Sequence, residues 1–219
     1  MRPEQILIMT TARLAVLEIP YCVGGSFASS MYGQARNTYD LDLLVDVAPT
    51  RTRELIAAFQ GDFDCDPDEV IAAIDAAPTY RDTPTARAMA KLTHRVTGFR
   101  VDLFISSGRP FEQSQFRRRI PHMIAHDPDT TVDFTAAEDI ILAKLEWFAL
   151  GDFASTNQWT DVRAMLLVQA EDLDWSYLRQ WADTLGVRDV LELAATGEPP
   201  PRPQTDARPA GKGEQPRLF

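Results

Sequence analysis

The stretch Val23-Gly24-Gly25-Ser26, separated by thirteen residues from Asp40-Leu41-Asp42-Leu43, decides the fold. Tyr21 to Val23 is short and β-prone, and it runs into the glycine turn, after which Phe27 to Tyr32 can form a helix. Leu41 to Val45 then reads as a strand, and the carboxylates of Asp40 and Asp42 fall at alternating positions along it. The pattern predicts a strand, a tight glycine turn, a short helix and a second strand.

The flanking sequence predicts more helices and a hairpin. One amphipathic helix covers residues 4 to 18, one runs from Pro49 to Phe59, and another starts after Asp66-Pro67, where Asp caps and Pro occupies the first turn. Residues 92 to 105 read as a hairpin about Thr97-Gly98, and Arg100, Asp102 and Phe104 share one face of its second strand.

The C-terminal third changes character. Thr135-Ala136-Ala137-Glu138 fits the capping-box pattern and predicts a buried helix, and two or three more helices follow between residues 156 and 196. We therefore expect an α+β fold with a mixed sheet flanked by helices over residues 1–133 and a helical subdomain over 134–197. Residues 198–219 contain six prolines and two glycines, which predicts a disordered tail.

Composition narrows the class of protein. The 219 residues are 45% hydrophobic, and no apolar run approaches the ~18 residues that a membrane span needs. Cys22 and Cys65 match neither a disulfide framework nor a zinc signature, so we expect a soluble, cytoplasmic protein without membrane contact.

Charge is unevenly distributed along the chain. The net charge of −10 argues against non-specific nucleic-acid binding by the whole surface. Between Arg87 and Arg119, however, eight basic residues face only Asp102 and Glu112. This stretch is either a surface that receives phosphates or a solvated helix face.

Two carboxylates on one strand indicate a metal site. Asp40 and Asp42 are two residues apart, so they project from the same face, where their mutual repulsion favours a cation between them. Magnesium binds a few carboxylate oxygens together with substrate phosphates, and Asp102 on the other strand could supply a third carboxylate. The alternative is an exposed acidic pair on an edge strand.

The glycine turn can bind an anion. Gly24 and Gly25 let the backbone approach a phosphate closely, and Ser26 offers a hydroxyl beside the free N–H groups of a helix start. An ordinary strand-to-helix turn is the alternative. The combination of this turn with the acidic strand is more specific than either part.

Together, the turn and the two acids resemble the signature of the DNA polymerase β-like nucleotidyltransferase superfamily. The resemblance implies that the turn holds a triphosphate, that Asp40 and Asp42 bind magnesium, and that Asp102 is the third acid. Residues 32 to 40 are similar to the AbiEii-type toxins of toxin–antitoxin systems, which would imply an RNA acceptor and an antitoxin partner.

The resemblance extends into the helical part. Glu138 to Leu145 and Gln158 to Val162 look like the Lys-containing and Asp-containing helices of those proteins, which makes Lys144 and Asp161 candidate site residues. Lys144 also lies on an apolar stripe, where its ammonium needs a phosphate, Asp161, or a path to water along its stem.

These residues lead to one functional hypothesis and two alternatives. The leading hypothesis is a magnesium-dependent nucleotidyltransferase that moves a nucleoside monophosphate from a nucleoside triphosphate to an RNA end, a protein or a small molecule. Asp102 would orient or deprotonate the acceptor hydroxyl, and Lys144 would steady the phosphates. The alternatives are an inactive nucleotide- or partner-binding module of the same fold and a helical adaptor built on residues 134–196.

Overall fold

The structure is a computed structural model that describes residues 1–35, 37–83, 87–126 and 129–200. These residues form two compact units. The first comprises Met1–Met31 and Ala35–Ala136, and the second comprises Tyr32–Gln34 and the chain from Ala137 onward. Most of the predicted disordered tail, residues 201–219, lies outside the described residues.

The first unit contains seven strands and five α-helices. The strands are β1 (Tyr21–Val23), β2 (Asp40–Val45), β3 (Phe63–Cys65), β4 (Ala88–His94), β5 (Arg100–Ile105), β6 (Ile120–His126) and β7 (Asp129–Phe134). The helices are α1 (Pro3–Val16), α2 (Gly25–Tyr32), α3 (Thr52–Phe59), α4 (Pro67–Ala76) and α5 (Pro110–Arg118), and the last residue of α2 belongs to the second unit. Short 3-10 segments lie at Pro49–Arg51 and at Ala77–Tyr80.

All seven strands join one mixed sheet in the order β3-β4-β5-β2-β1-β7-β6. Strands β2 and β5 are parallel, as are β1 and β7, and the other neighbours are antiparallel. Because the sheet is mixed and helices flank it, the predicted α+β class is confirmed.

The central strands separate an apolar face from a polar one. On one face of β2 and β5, the side chains are almost fully removed from water: Leu41, Leu43, Val45, Val101, Leu103 and Ile105. Burying each such side chain is worth roughly 1.5–3 kcal/mol, so this face fixes which way both strands are turned. The polar residues of the same strands therefore share the other face.

Parts of the sheet are absent from the sequence-based prediction. Strand β3 has only three residues, strand β6 contains Pro121, and helix α5 is richer in charged residues than in apolar ones. None of these three elements therefore shows a clear periodicity of apolar residues in the sequence. The helix predicted from Pro49 begins with a 3-10 turn and becomes α-helical at Thr52. The predicted hairpin is present, but its first strand starts at Ala88 and ends at His94.

The second unit is helical. It contains α6 (Ala137–Leu150), α7 (Thr156–Val168), α8 (Trp175–Leu185) and α9 (Arg188–Thr196). Helix α6 is buried along most of its length, as its all-round apolar sequence predicts. Across the described ranges, no helix combines the length and the apolar character that crossing a membrane requires.

Candidate active site

Two of the three candidate carboxylates lie directly opposite each other. Asp42 on β2 and Asp102 on β5 are register partners in a parallel pair, where neighbouring strands are about 4.8 Å apart. Directly opposed residues project from the same face of a sheet, so the two carboxylates are neighbours. Asp42 is half-buried, whereas Asp102 is 1% exposed.

Asp102 is a buried acid whose carboxylate lacks a hydrogen-bond partner. Neither of its side-chain oxygens accepts a hydrogen bond from the described part of the chain. Burial raises the pKa of Asp102, the guanidinium of Arg100 lowers it, and the charge of Asp40 raises it again, with a net rise. A buried carboxylate of this kind is stabilised by a cation placed beside it.

The glycine turn packs against the Asp42 side chain. Gly24 donates its backbone N–H to the carbonyl oxygen of Asp42 at 2.9 Å. A Cβ built at Gly25 would lie 2.6 Å from Cγ and 2.8 Å from Cβ of Asp42, and closer still to Oδ2. Gly25 also has a φ of +56°, so both space and backbone conformation require glycine there. The start of α2, including Ser26, therefore borders the acidic strand.

Asp40 has a different environment. It lies opposite Arg100 in the β2/β5 register, and Arg100 Nη2 donates to Asp40 Oδ2 at 2.8 Å. Within the described ranges, no three His, Cys, Asp or Glu side chains are grouped closely enough to hold a metal ion. Asp40, Asp42 and Asp102 thus share one face of the sheet, but Asp40 is ion-paired with Arg100 in this conformation.

Asp42 and Asp102 nevertheless suit a magnesium ion. Magnesium is usually bound by one or two carboxylates, with water and substrate phosphates completing its octahedron, so a third acid is not essential. Within the described part of the chain, the buried oxygens of Asp102 accept no hydrogen bond, and the glycine turn packs against the Asp42 side chain. The donor set therefore fits a hard divalent cation.

Further groups border this face. Lys91 on β4 is the register partner of Asp102 on the side away from Asp42, and its charge lowers the pKa of that acid. Phe27, the residue after Ser26, forms an edge-to-face pair with Phe99, with ring centroids 6.5 Å apart. These side chains add a cation and an aromatic surface near the carboxylates.

The basic stretch from Arg87 to Arg119 is not one helix. Its residues are spread over β4, β5, α5 and their connections. Arg95 pairs with Asp64, Arg100 with Asp40, and Arg119 with Asp133. This distribution excludes one solvated helix face, and a surface that receives phosphates stays a prediction.

Lys144 and Asp161 pair with each other in the helical unit. Lys144 Nζ lies 2.9 Å from Asp161 Oδ2 and 3.2 Å from Gln158 Oε1, and the two charged side chains are 7% and 8% exposed. Of the partners that the sequence suggested for Lys144, Asp161 is present in the structure. The three strand acids belong to the other unit.

The contributions of Arg100 and Lys91 were missed at the sequence level. The alternation along β5 did place Arg100 and Asp102 on one face, but it could not tell which residues of β2 and β4 lie opposite them. That information is in the strand register, which depends on long-range pairing.

Comparisons with known proteins identify the fold. No protein-family model matches the chain, and no curated protein matches it. Among solved structures, an antigenic nucleotidyltransferase-like protein from Paracoccidioides brasiliensis superposes with a TM-score of 0.52 at 18% identity, covering 89% of this chain and 92% of that one.

A second solved structure, ANT(2'')-Ia in complex with adenylyl-2''-tobramycin, superposes with a TM-score of 0.51 at 12% identity, covering 85% of this chain and 98% of that one. At such low identity the similarity concerns the fold alone. The similarity supports a nucleotidyltransferase-like fold and does not identify the AbiEii-type subgroup. The chain therefore has a nucleotidyltransferase-like fold.

Proposed function

We propose that this protein is a magnesium-dependent nucleotidyltransferase that transfers a nucleoside monophosphate from a nucleoside triphosphate to an acceptor hydroxyl. The observation that carries the proposal is the juxtaposition of Asp42 and the buried Asp102, in register on parallel strands, beside a turn that requires glycine at position 25. The nucleotidyltransferase-like fold supports it.

Each group has a role in this proposal. The turn from Gly24 to Ser26 binds phosphate oxygens through the backbone N–H groups of Gly25 and Ser26 and the Ser26 hydroxyl, because the N–H of Gly24 donates to Asp42. Asp42 with Asp102 holds the cation, joined by Asp40 when that carboxylate leaves Arg100. Magnesium supplies charge neutralisation for the phosphates. Positioning and charge complementarity then account for most of the catalysis, as in phosphoryl transfers generally.

The reaction proceeds by attack at the α-phosphorus. The acceptor oxygen forms the new P–O bond, the bond between the α-phosphorus and the bridging oxygen breaks, and pyrophosphate leaves with that electron pair. Asp102 orients the acceptor hydroxyl or takes its proton. The roles that the resemblance implies for Lys144 and Asp161 stay predictions.

The acceptor that we favour is a small hydroxylated molecule carrying positive charge. The net charge of −10 attracts cations and disfavours a polyanion. The neighbour ANT(2'')-Ia was solved with an adenylylated tobramycin, so the fold is compatible with an acceptor of that size. An RNA end, a protein acceptor and an antitoxin partner stay predictions from the resemblance.

Ligand-dependent stabilisation and pyrophosphate release test the proposal. Magnesium with the correct triphosphate at ~100 times its Kd should raise the free energy of unfolding by roughly 2.7 kcal/mol. Asp42→Asn and Asp102→Asn should lose this effect and any pyrophosphate release in the presence of acceptor mixtures. Asp46→Asn, an exposed acid just beyond β2, is the matched control and should behave as wild type.

The alternatives give different results. An inactive binding module shows stabilisation without pyrophosphate release, and a helical adaptor shows neither. A wild-type protein that no triphosphate stabilises in the presence of magnesium contradicts the proposal.

A further inference from the structure

The pairing of Arg100 with Asp40 occupies one of the three candidate carboxylates. Arg100 Nη2 contacts Asp40 Oδ2 at 2.8 Å, and the side chains are 43% and 19% exposed. The two residues are register partners, one pair along from Asp42 and Asp102 on the same face of the sheet. The guanidinium is therefore fixed at the edge of the proposed cation site.

A cation beside Asp42 and Asp102 would change the balance of charges around Arg100. Alternate residues of a strand are about 7 Å apart, so Arg100 would lie close to a divalent ion and would be repelled by it. A cation also attracts the carboxylate of Asp40, because carboxylate oxygens are the ligands that hard divalent ions prefer. Both effects weaken the ion pair.

A triphosphate offers Arg100 a second partner. Arginine is charged at all relevant pH values, and its planar guanidinium can donate two parallel hydrogen bonds to a phosphate. Because the Arg100 side chain is almost half exposed, it can change partners without the cost of uncovering a buried charge.

We propose that Arg100 is a positioning residue that exchanges partners: it neutralises Asp40 in the metal-free protein and binds a phosphate oxygen of the substrate once Asp40 turns to the cation. This inference rests on the proposed function and deepens it, because it couples binding of the cation to binding of the triphosphate.

The proposal predicts effects of opposite sign in Arg100→Gln. Without the competing guanidinium, Asp40 is available to the metal, so Mn²⁺ alone should bind about 2- to 5-fold more tightly, as judged by electron paramagnetic resonance of free Mn²⁺. The complex of Mn²⁺ with inorganic tripolyphosphate should bind about 10- to 100-fold more weakly in calorimetric titrations, since a charge-assisted hydrogen bond is lost. Tripolyphosphate is used because it has no nucleobase, so the affinity does not depend on which nucleotide the protein prefers.

Two further variants control for folding and for bulk charge. Arg95→Gln removes an exposed arginine that pairs with Asp64 at 3.4 Å outside the site, so both affinities should stay at wild-type values. Arg100→Lys keeps the charge but not the planar fork, so its Mn²⁺ affinity should stay near wild type while tripolyphosphate affinity falls less than in Arg100→Gln. Circular dichroism melts confirm that each variant is folded.

The outcomes separate this inference from the proposed function. If Arg100→Gln behaves like Arg95→Gln, or if both affinities move in the same direction, the partner exchange is wrong although the nucleotidyltransferase proposal stands. If the wild-type protein binds neither Mn²⁺ nor its tripolyphosphate complex, both proposals are overturned together.

Discussion

Replacing Gly25 by alanine tests the close approach between the glycine turn and the acidic strand. The new methyl group would lie 2.6 Å from Cγ and 2.8 Å from Cβ of Asp42, distances that van der Waals repulsion does not permit. The substitution also places a non-glycine residue at a φ of +56°. Either the Asp42 carboxylate or the start of α2 must therefore move.

The expected loss of stability follows from these two effects. Holding a non-glycine residue in a sparsely populated backbone region costs of order 1–3 kcal/mol, and the displaced carboxylate adds to it. For a chain of this length, that corresponds to a fall in Tm of roughly 2–12 °C. Because either movement separates the Asp42 carboxylate from the glycine turn, binding of the Mn²⁺–tripolyphosphate complex should fall about as far as in Asp42→Asn.

The assay combines thermal melts with calorimetric titration, and two companion variants isolate the cause. Gly61→Ala is the matched control, since a Cβ there meets no atom within 4 Å, and it should leave Tm and affinity unchanged. In the double variant Gly25→Ala with Asp42→Gly, the steric clash disappears, so part of the Tm loss should be recovered while binding stays absent. A Gly25→Ala protein with the Tm and the affinity of wild type would refute the reasoning.

Three further predictions concern stability. Lys144→Met leaves the carboxylate of Asp161, which is 8% exposed, without its partner ammonium. Chemical denaturation should therefore show an unfolding free energy lower by about 3–5 kcal/mol, and adding Asp161→Leu should recover much of that loss. Leu43→Ala leaves a cavity at a fully buried position beneath the acidic face and should lower the unfolding free energy by about 2–5 kcal/mol in the same assay. The control Val16→Ala, at an 83% exposed position, should change the unfolding free energy by less than about 0.5 kcal/mol. Hydrogen bonding to Arg179 holds the pKa of Glu192 below its ordinary value. The stabilisation of the folded state by Glu192 is therefore present at pH values above the ordinary pKa and is lost as the pH falls through the lowered pKa. Glu192→Gln should flatten the acid side of the plot of unfolding free energy against pH.

The part of the fold that sequence alone predicted is the part controlled by local chemistry. The glycine turn after β1 and the alternation along β2 are properties of a few adjacent residues, and the apolar pattern of α6 alone predicts its burial. Strand β3 and the β6/β7 hairpin are specified by the neighbours that they pair with. Strand β3 is too short to show a period, and in β7 the alternation is limited to Val132 and Phe134, so the local signal is weak.

The site divides along the same line. Spacing along β2 was enough to put Asp40 and Asp42 on one face, but spacing could not distinguish them, and the structure does. In the β2/β5 register Asp42 lies opposite a second, buried acid that a cation would stabilise, whereas Asp40 lies opposite Arg100 and forms an ion pair with it. A shift of this register by two residues would keep the same face and the same core, yet it would no longer place Asp102 opposite Asp42. The chemistry proposed for this protein therefore depends on a long-range pairing that only the folded sheet specifies.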